Sequence, residues 1–145
     1  MIEIARGSDS KGVFQKDIAT AQSLSIKYLD HIIHSLKTAG LITNLKGKKS
    51  GYVLTRDPEL ITVFDIHKAF EPELCLIECL SVNYQCDRSE HCQAQGFWKG
   101  LNTVIANYLK SVTVADLVGD PTLAGQTDRR SENEVTAPGQ GSLAQ

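Results

Sequence analysis

The chain has 145 residues, 15 Lys plus Arg against 17 Asp plus Glu, and 41% hydrophobic residues, which bounds it to one compact domain or one domain with appendages and excludes a large two-domain enzyme. No apolar run approaches the roughly 18 to 20 residues that cross a bilayer, and no basic stretch followed by an apolar segment opens the chain as a secretory signal does, so it reads as a soluble cytoplasmic protein with no membrane partner. The net charge of −2 conceals an asymmetry: residues 1–56 carry nine Lys or Arg against four Asp or Glu (+5) and residues 57–145 six against thirteen (−7), which predicts a front half that meets an anion.

Met1, Ile2, Ile4 and Ala5 have helical spacing and stop at Gly7, as the last turns of a helix would. A polar loop from Gly7 to Gly12 leads to Val13, Ile18, Ala19 and Ala21, which predict a short amphipathic helix of about eight residues starting near Phe14, followed by a turn at Ser23-Leu24-Ser25. Ile26, Leu29, Ile32, Ile33, Leu36 and Ala39 then recur at spacings of three and four. With Ser25 as N-cap and Gly40 as C-cap, they predict a helix of about fourteen residues. Leu41-Ile42-Thr43 and Gly51-Tyr52-Val53-Leu54 are β-prone and flank a basic, glycine-containing tip from Asn44 to Ser50, the pattern of a β-hairpin. After Asp57-Pro58, Ile61-Thr62-Val63 introduces a helix through Ile66 and Phe70 that Glu71-Pro72 ends. Phe97, Trp98, Leu101, Val104, Ile105, Tyr108 and Leu109 mark a last long amphipathic helix, with a short addition from Val112 to Val118. Beyond it, Gly, Ser, Thr, Gln and charge predominate with little to bury, so the tail is expected to be disordered.

The expected fold is therefore mainly α with a small β-hairpin wing: a winged helix-turn-helix over residues 1–70, a cysteine-containing loop at 71–96, a long dimerisation helix at 97–118 and a disordered tail at 119–145. In such a unit the second helix enters the major groove and the hairpin reaches the backbone or the minor groove. Ser25, Lys27, Tyr28 and His31 occupy early, solvent-facing positions of that helix, and Lys46, Lys48 and Lys49 would supply phosphate contacts to double-stranded DNA. The competing reading is an ordinary solvated helix pair with a lysine-rich turn.

The stretch Leu24-Ser25-Ile26-Lys27-Tyr28-Leu29-Asp30, the following Leu36-Lys37-Thr38-Ala39-Gly40-Leu41-Ile42, the hairpin Lys46 to Leu54 and Ile61-Thr62-Val63-Phe64-Asp65-Ile66 resemble the bacterial IscR/NsrR family of transcriptional regulators over residues 1 to about 118. The resemblance implies a homodimeric winged-helix repressor or activator with a cysteine loop that often holds an iron–sulfur cluster. It implies base reading at Ser25, Lys27, Tyr28 and Asp30, and a basic minor-groove residue at Lys46. Two departures stand out. The wing is less glycine-rich, with Lys48, Lys49 and Ser50 in its tip, and most of the family's first helix lies before the position of Met1. A core lacking the front of that helix buries less apolar surface, at roughly 25 cal/mol for each Å².

All four cysteines lie between Cys75 and Cys92, a crowding that in a cytosolic chain points to metal or redox chemistry rather than a structural disulfide. Cys79, Cys86 and Cys92 form Cys-x6-Cys-x5-Cys, and thiolates are soft anionic donors suited to iron–sulfur clusters and to zinc. The spacing is similar to the family's cluster loop and implies a 2Fe-2S or 4Fe-4S cluster. Where some members of the family carry a histidine as fourth ligand this chain has Gln95, and where others use an acidic residue from the first helix of the opposite subunit that region is largely missing here; the remaining candidates are Cys75 and His91, with Cys75 the softer donor. Zinc, buried structural cysteines without metal, and a dithiol switch are the alternatives.

The sequence thus predicts a cytoplasmic, dimeric, DNA-binding transcriptional regulator sensing iron–sulfur, nitric oxide or redox status. The alternative is a winged-helix regulator controlled by a protein partner or small molecule, its cysteines structural or zinc-binding. An enzyme is disfavoured, because no Cys-x-x-Cys, no convincing nucleophile–base pair and no phosphate-binding glycine loop is present.

Overall fold

The computed structural model describes residues 1–7, 11–46, 51–84 and 86–119. The wing tip with Lys48 and Lys49, Gln85 of the cysteine block and the expected tail after Gly119 lie outside these residues.

Helix α1 (Ile2–Arg6) buries Ile4 and ends at Gly7, whose N–H donates to Glu3 O at 3.1 Å. Residues 8–10 of the expected loop lie outside the described residues, and its end at Lys11 to Val13 carries more structure than its polarity announces. Lys11 C=O accepts from Gly51 N–H at 2.8 Å, and Val13 exchanges both backbone bonds with Tyr52 at 3.0 and 2.8 Å. Gly51 permits that approach, since a Cβ there would stand 2.5 Å from the Val13 backbone.

Helix α2 (Gln15–Ala21) buries Ile18 and Ala19 and starts one residue after Phe14, whose extended backbone makes it the N-cap. It closes in a Schellman motif: Ser23 N–H donates to Thr20 O (3.3 Å) and Leu24 N–H to Ala19 O (2.9 Å), with Ser23 at φ 52°. This is the tight turn of the helix-turn-helix. Helix α3 (Ile26–Thr38) begins as expected at Ser25, whose Oγ accepts from Tyr28 N–H at 3.2 Å. Its buried residues, Leu29, Ile33 and Leu36, are the spine of the 3.6-residue pattern. The C-cap is Ala39 rather than Gly40. Gly40 is the residue beyond, in the left-handed region at φ 68°, and a second Schellman motif joins Leu41 N–H to Leu36 O (2.9 Å) and Gly40 N–H to Lys37 O (3.0 Å).

Strands β1 (Ile42–Asn44) and β2 (Tyr52–Leu54) pair antiparallel with Ile42 opposite Leu54, Thr43 opposite Val53 and Asn44 opposite Tyr52. A 3-10 turn at Pro58–Leu60 leads to α4 (Val63–Lys68), which opens on a capping box: Thr62 Oγ1 accepts from Asp65 N–H while an Asp65 oxygen accepts from Thr62 N–H. After the irregular cysteine segment, α5 (Gln95–Ser111) runs 17 residues, starting two residues before Phe97.

The short addition after α5 is not a continuation of it. Val112 is extended, and α6 (Val114–Gly119) turns back into the first unit's core, where Val63 N–H donates to Val112 O (2.9 Å) and Val114 N–H to Ile61 O (2.8 Å). Ile61 and Val114 are both 0% exposed, at a core shared with Ile4, Ile18, Leu29, Ile33, Leu36, Leu41 and Ile42. Thr113 and Asp116 repeat, side by side with it, the capping box of Thr62 and Asp65. Helix α6 packs against α1 and the Pro58–Leu60 turn, and α4 packs on α5 with its start beside the α5 C-terminal end, so α5 is tied to the winged unit through α4 and α6.

Candidate nucleic-acid interface and cysteine block

The packing of Leu29, Ile33 and Leu36 inward fixes which residues of α3 face outward. Lys27, Tyr28, Asp30, His31 and His34 are exposed, Tyr28 by 58%, as is Ser25 at the helix start. The structure therefore gathers Ser25, Lys27, Tyr28, Asp30 and His31 on the first turns of one helix. Ser25 carries a structural duty as well, because its hydroxyl accepts the Tyr28 N–H. Lys46 is exposed two residues beyond β1, while Lys48 and Lys49 fall outside the described residues.

Two contacts that the sequence pattern does not reveal organise this face. Gln15, at the first position of α2, donates from Nε2 to Asp30 Oδ1 at 2.5 Å and to Ile26 O at 3.5 Å. Lys37, in the last turn of α3, donates to Asn44 Oδ1 at 2.7 Å and lies 6.0 Å from the centre of the Tyr52 ring, bracing helix against wing. Neither residue belongs to an apolar period, so neither is distinguished from an ordinary surface polar residue.

At the start of α4, burial pushes the Asp65 carboxyl up, but hydrogen bonds from the Thr62 N–H and hydroxyl, together with the charges of Arg56 and Lys68, outweigh it and hold the group below its ordinary value of 3.8. The ion stays in place to cap the helix that leads into the cysteine segment.

All four thiols are free and half-buried. Glu73 closes the head of the segment by accepting from Ser81 Oγ (2.9 Å) and Val82 N–H (3.0 Å). Cys75 is held locally: its Sγ donates to Ile77 O at 2.9 Å, and the backbone on either side is clamped by Asn102 of α5. The Asn102 amide donates to Leu74 O (3.0 Å), and its carbonyl accepts from Leu76 N–H (3.2 Å). Cys79 and Cys86 lie farther along the segment. His91 ends a 3-10 turn at Ser89–His91 directly before Cys92, and Gln95 opens α5. Among the described residues, no three His, Cys, Asp or Glu side chains stand close enough to hold one metal ion. The donors thus fit an iron–sulfur cluster in chemistry, as several free thiols on one segment, while the folded segment does not gather Cys79, Cys86 and Cys92 around one centre.

Helix α5 buries no residue fully and carries two apolar stripes. Trp98, Leu101, Ile105, Ala106 and Leu109 are half-buried on the stripe that includes Asn102, and α5 packs on α4 with Lys110 Nζ 4.9 Å from the Phe64 ring centre. The second stripe, Phe97, Val104 and Tyr108, is 66%, 64% and 43% exposed. No helix among the described residues is long and apolar enough to cross a membrane.

A family profile described as "Rrf2: Iron-dependent Transcriptional regulator" matches residues 1–120. Protein rrf2 of Nitratidesulfovibrio vulgaris is 34% identical over 123 residues, covering 85% of this chain and 82% of that protein. The solved structure of T. potens IscR superposes with a TM-score of 0.66 at 28% identity, covering 86% of this chain and 81% of that one. CymR (YrzC), the global cysteine regulator of B. subtilis, superposes with a TM-score of 0.64 at 29% identity, covering 81% of this chain and 85% of its own. These relatives are regulators rather than enzymes, and their winged-helix architecture is the one found here: the chain belongs to the Rrf2 family of DNA-binding transcriptional regulators.

Proposed function

We propose that the chain works in the cytoplasm as a homodimeric regulator whose cysteine segment sets its grip on DNA. Each protomer would lay the first turns of α3 in the major groove through Ser25, Lys27, Tyr28, Asp30 and His31, with Lys46, Lys48 and Lys49 of the wing at phosphates or the adjacent minor groove. The second stripe of α5 supports a dimer, since Phe97, Val104 and Tyr108 form an exposed apolar face that a symmetric copy would cover.

Cys79, Cys86 and Cys92 are assigned as ligands of an iron–sulfur cluster, with Cys75 or His91 completing the set. When bound, such a cluster supplies thiolate-held iron that is sensitive to oxidants and nitric oxide. The protein's own part is mechanical. Asn102 ties the backbone around Cys75 to α5, and α5 is anchored to the winged unit through α4 and α6, so a change in the shape of residues 75–96 bears on the helix that sets the spacing of the two α3 helices. That Asn102 clamp is the observation that carries this reading.

A second reading has its own support. The cysteines are not gathered around one centre, Cys75 is engaged with Ile77 O, and one structural neighbour, CymR, is the global cysteine regulator of B. subtilis. A regulator answering to a protein partner or small molecule, with structural cysteines, accounts for those three points; with zinc-binding cysteines the segment would have to close around the ion as it would around a cluster. Anaerobic purification with iron, sulfide and zinc analysis and absorption spectra, repeated on Cys86→Ala, separates the two. Iron and sulfide with visible absorbance lost in the variant supports the cluster, whereas a colourless protein with neither supports the second reading.

A further inference from the structure

We propose that Gln15 is a positioning residue that fixes the Asp30 carboxylate to read a cytosine in the major groove. The inference rests on the reading of α3 as the element that enters that groove.

A short acidic side chain on an exposed helix turn is free to occupy several rotamers, and holding it in one of them is a cost that any base contact must offset. Asp30 has that exposure but not that freedom, because the Gln15 amide nitrogen stands 2.5 Å from its Oδ1. The same nitrogen lies 3.5 Å from Ile26 O. Both neighbours of the amide nitrogen are acceptors, so the carboxamide has one sensible orientation; turning it would set its oxygen against a carboxylate and a carbonyl. Gln15 thereby spans from the first residue of α2 to the first and second turns of α3.

The consequence for recognition follows from what the arrangement leaves available. Among the described residues, Oδ2 of Asp30 accepts no hydrogen bond, while Oδ1 is engaged. An ionised carboxylate only accepts hydrogen bonds. Facing a base edge it is repelled by the O6 and N7 of guanine and the O4 of thymine, and of the two amino groups in the groove it is better matched by cytosine N4 than by adenine N6, which lies beside the N7 acceptor. Next to DNA phosphates it adds nothing to general affinity, so its value lies in discrimination. A fixed carboxylate discriminates more sharply than a mobile one, which can swing away from the wrong base at little cost.

The test is selection of full-length protein on duplexes with a randomised half-site, followed by affinity measurements on the selected sequence, its single-base variants and an unrelated duplex. The proteins compared are wild type, Asp30→Ala, Gln15→Leu and the near-isosteric Gln15→Glu, which keeps the packing but loses the donor. The wild type is expected to prefer cytosine at one position of each half-site, and Asp30→Ala to lose that preference. Both Gln15 variants are expected to lose at least about fivefold of it, with the other positions unchanged and Gln15→Leu within about twofold of wild type on unrelated DNA. If Asp30→Ala loses the preference while both Gln15 variants keep it, Gln15 only braces two helices and the proposal is overturned. A uniform loss at every position overturns it equally. If Asp30→Ala alters no position, the placement of Asp30 at the bases fails and the proposal falls with it.

Discussion

Ser23 is the one non-glycine residue among those described with a left-handed backbone, and it sits in the turn that sets the angle between α2 and α3. A side chain in that conformation costs about 1–2 kcal/mol, of which glycine would recover part while adding roughly 0.5–1 kcal/mol of unfolded-state entropy. Ser23→Gly is therefore expected to stabilise the protein by up to about 1 kcal/mol, read as a higher urea midpoint with unchanged slope. Asp65 makes a pH prediction at the same scale. Its carboxyl is held below 3.8 in the fold, so its contribution is present above the unfolded value and is lost as pH falls through the lower folded one. Urea midpoints measured from pH 6 down to pH 3 are expected to drop, and Thr62→Val, which removes the hydroxyl bonded to that carboxylate, is expected to drop less steeply across the acid end.

Elements with a strong apolar period could be read directly from the sequence. The buried residues of α3 are spaced at three and four, Ser25 caps it, and the wing strands pair where their β-prone residues predict. What escaped were features made by contacts distant in sequence. The pairing of Lys11 and Val13 with Gly51 and Tyr52 lies in a stretch whose polarity reads as loop, and the return of α6 to the core depends on Ile61, which lies more than 50 residues from Val114. Asn102 offered a usable signal, as the polar residue on an otherwise apolar stripe between Trp98 and Ile105. Gln15 and Lys37 offered none, since their partners are set by the fold. The cysteine positions were legible, but their arrangement was not, because the segment has no period and its closure runs through Glu73 and Asn102. Asn102→Leu keeps the helix and removes both clamp bonds. It is expected to speed proteolytic cleavage within residues 73–94 by about tenfold while helical content stays the same; limited proteolysis with mass mapping checks it. Unchanged cleavage there would mean the clamp does not restrain the segment.

At the scale of the whole molecule, charge and apolar surface are divided between two parts of the chain. The basic half holds the outward face of α3 and the wing, and the acidic half holds the cysteine segment and α5. The exposed stripe of α5 predicts that Val104→Glu lowers dimer affinity by at least about tenfold, measured by sedimentation, because a new charge would be buried against its symmetric copy. The most direct test of the central claim is the affinity of the anaerobically purified full chain for the DNA upstream of its own gene. It is measured after reconstitution with iron and sulfide, after metal removal, and with Cys86→Ala. A coupling of about 1–3 kcal/mol, a 5- to 150-fold difference between the first two states, with Cys86→Ala fixed at the metal-free value, is the predicted result; equal affinity in all three would contradict it.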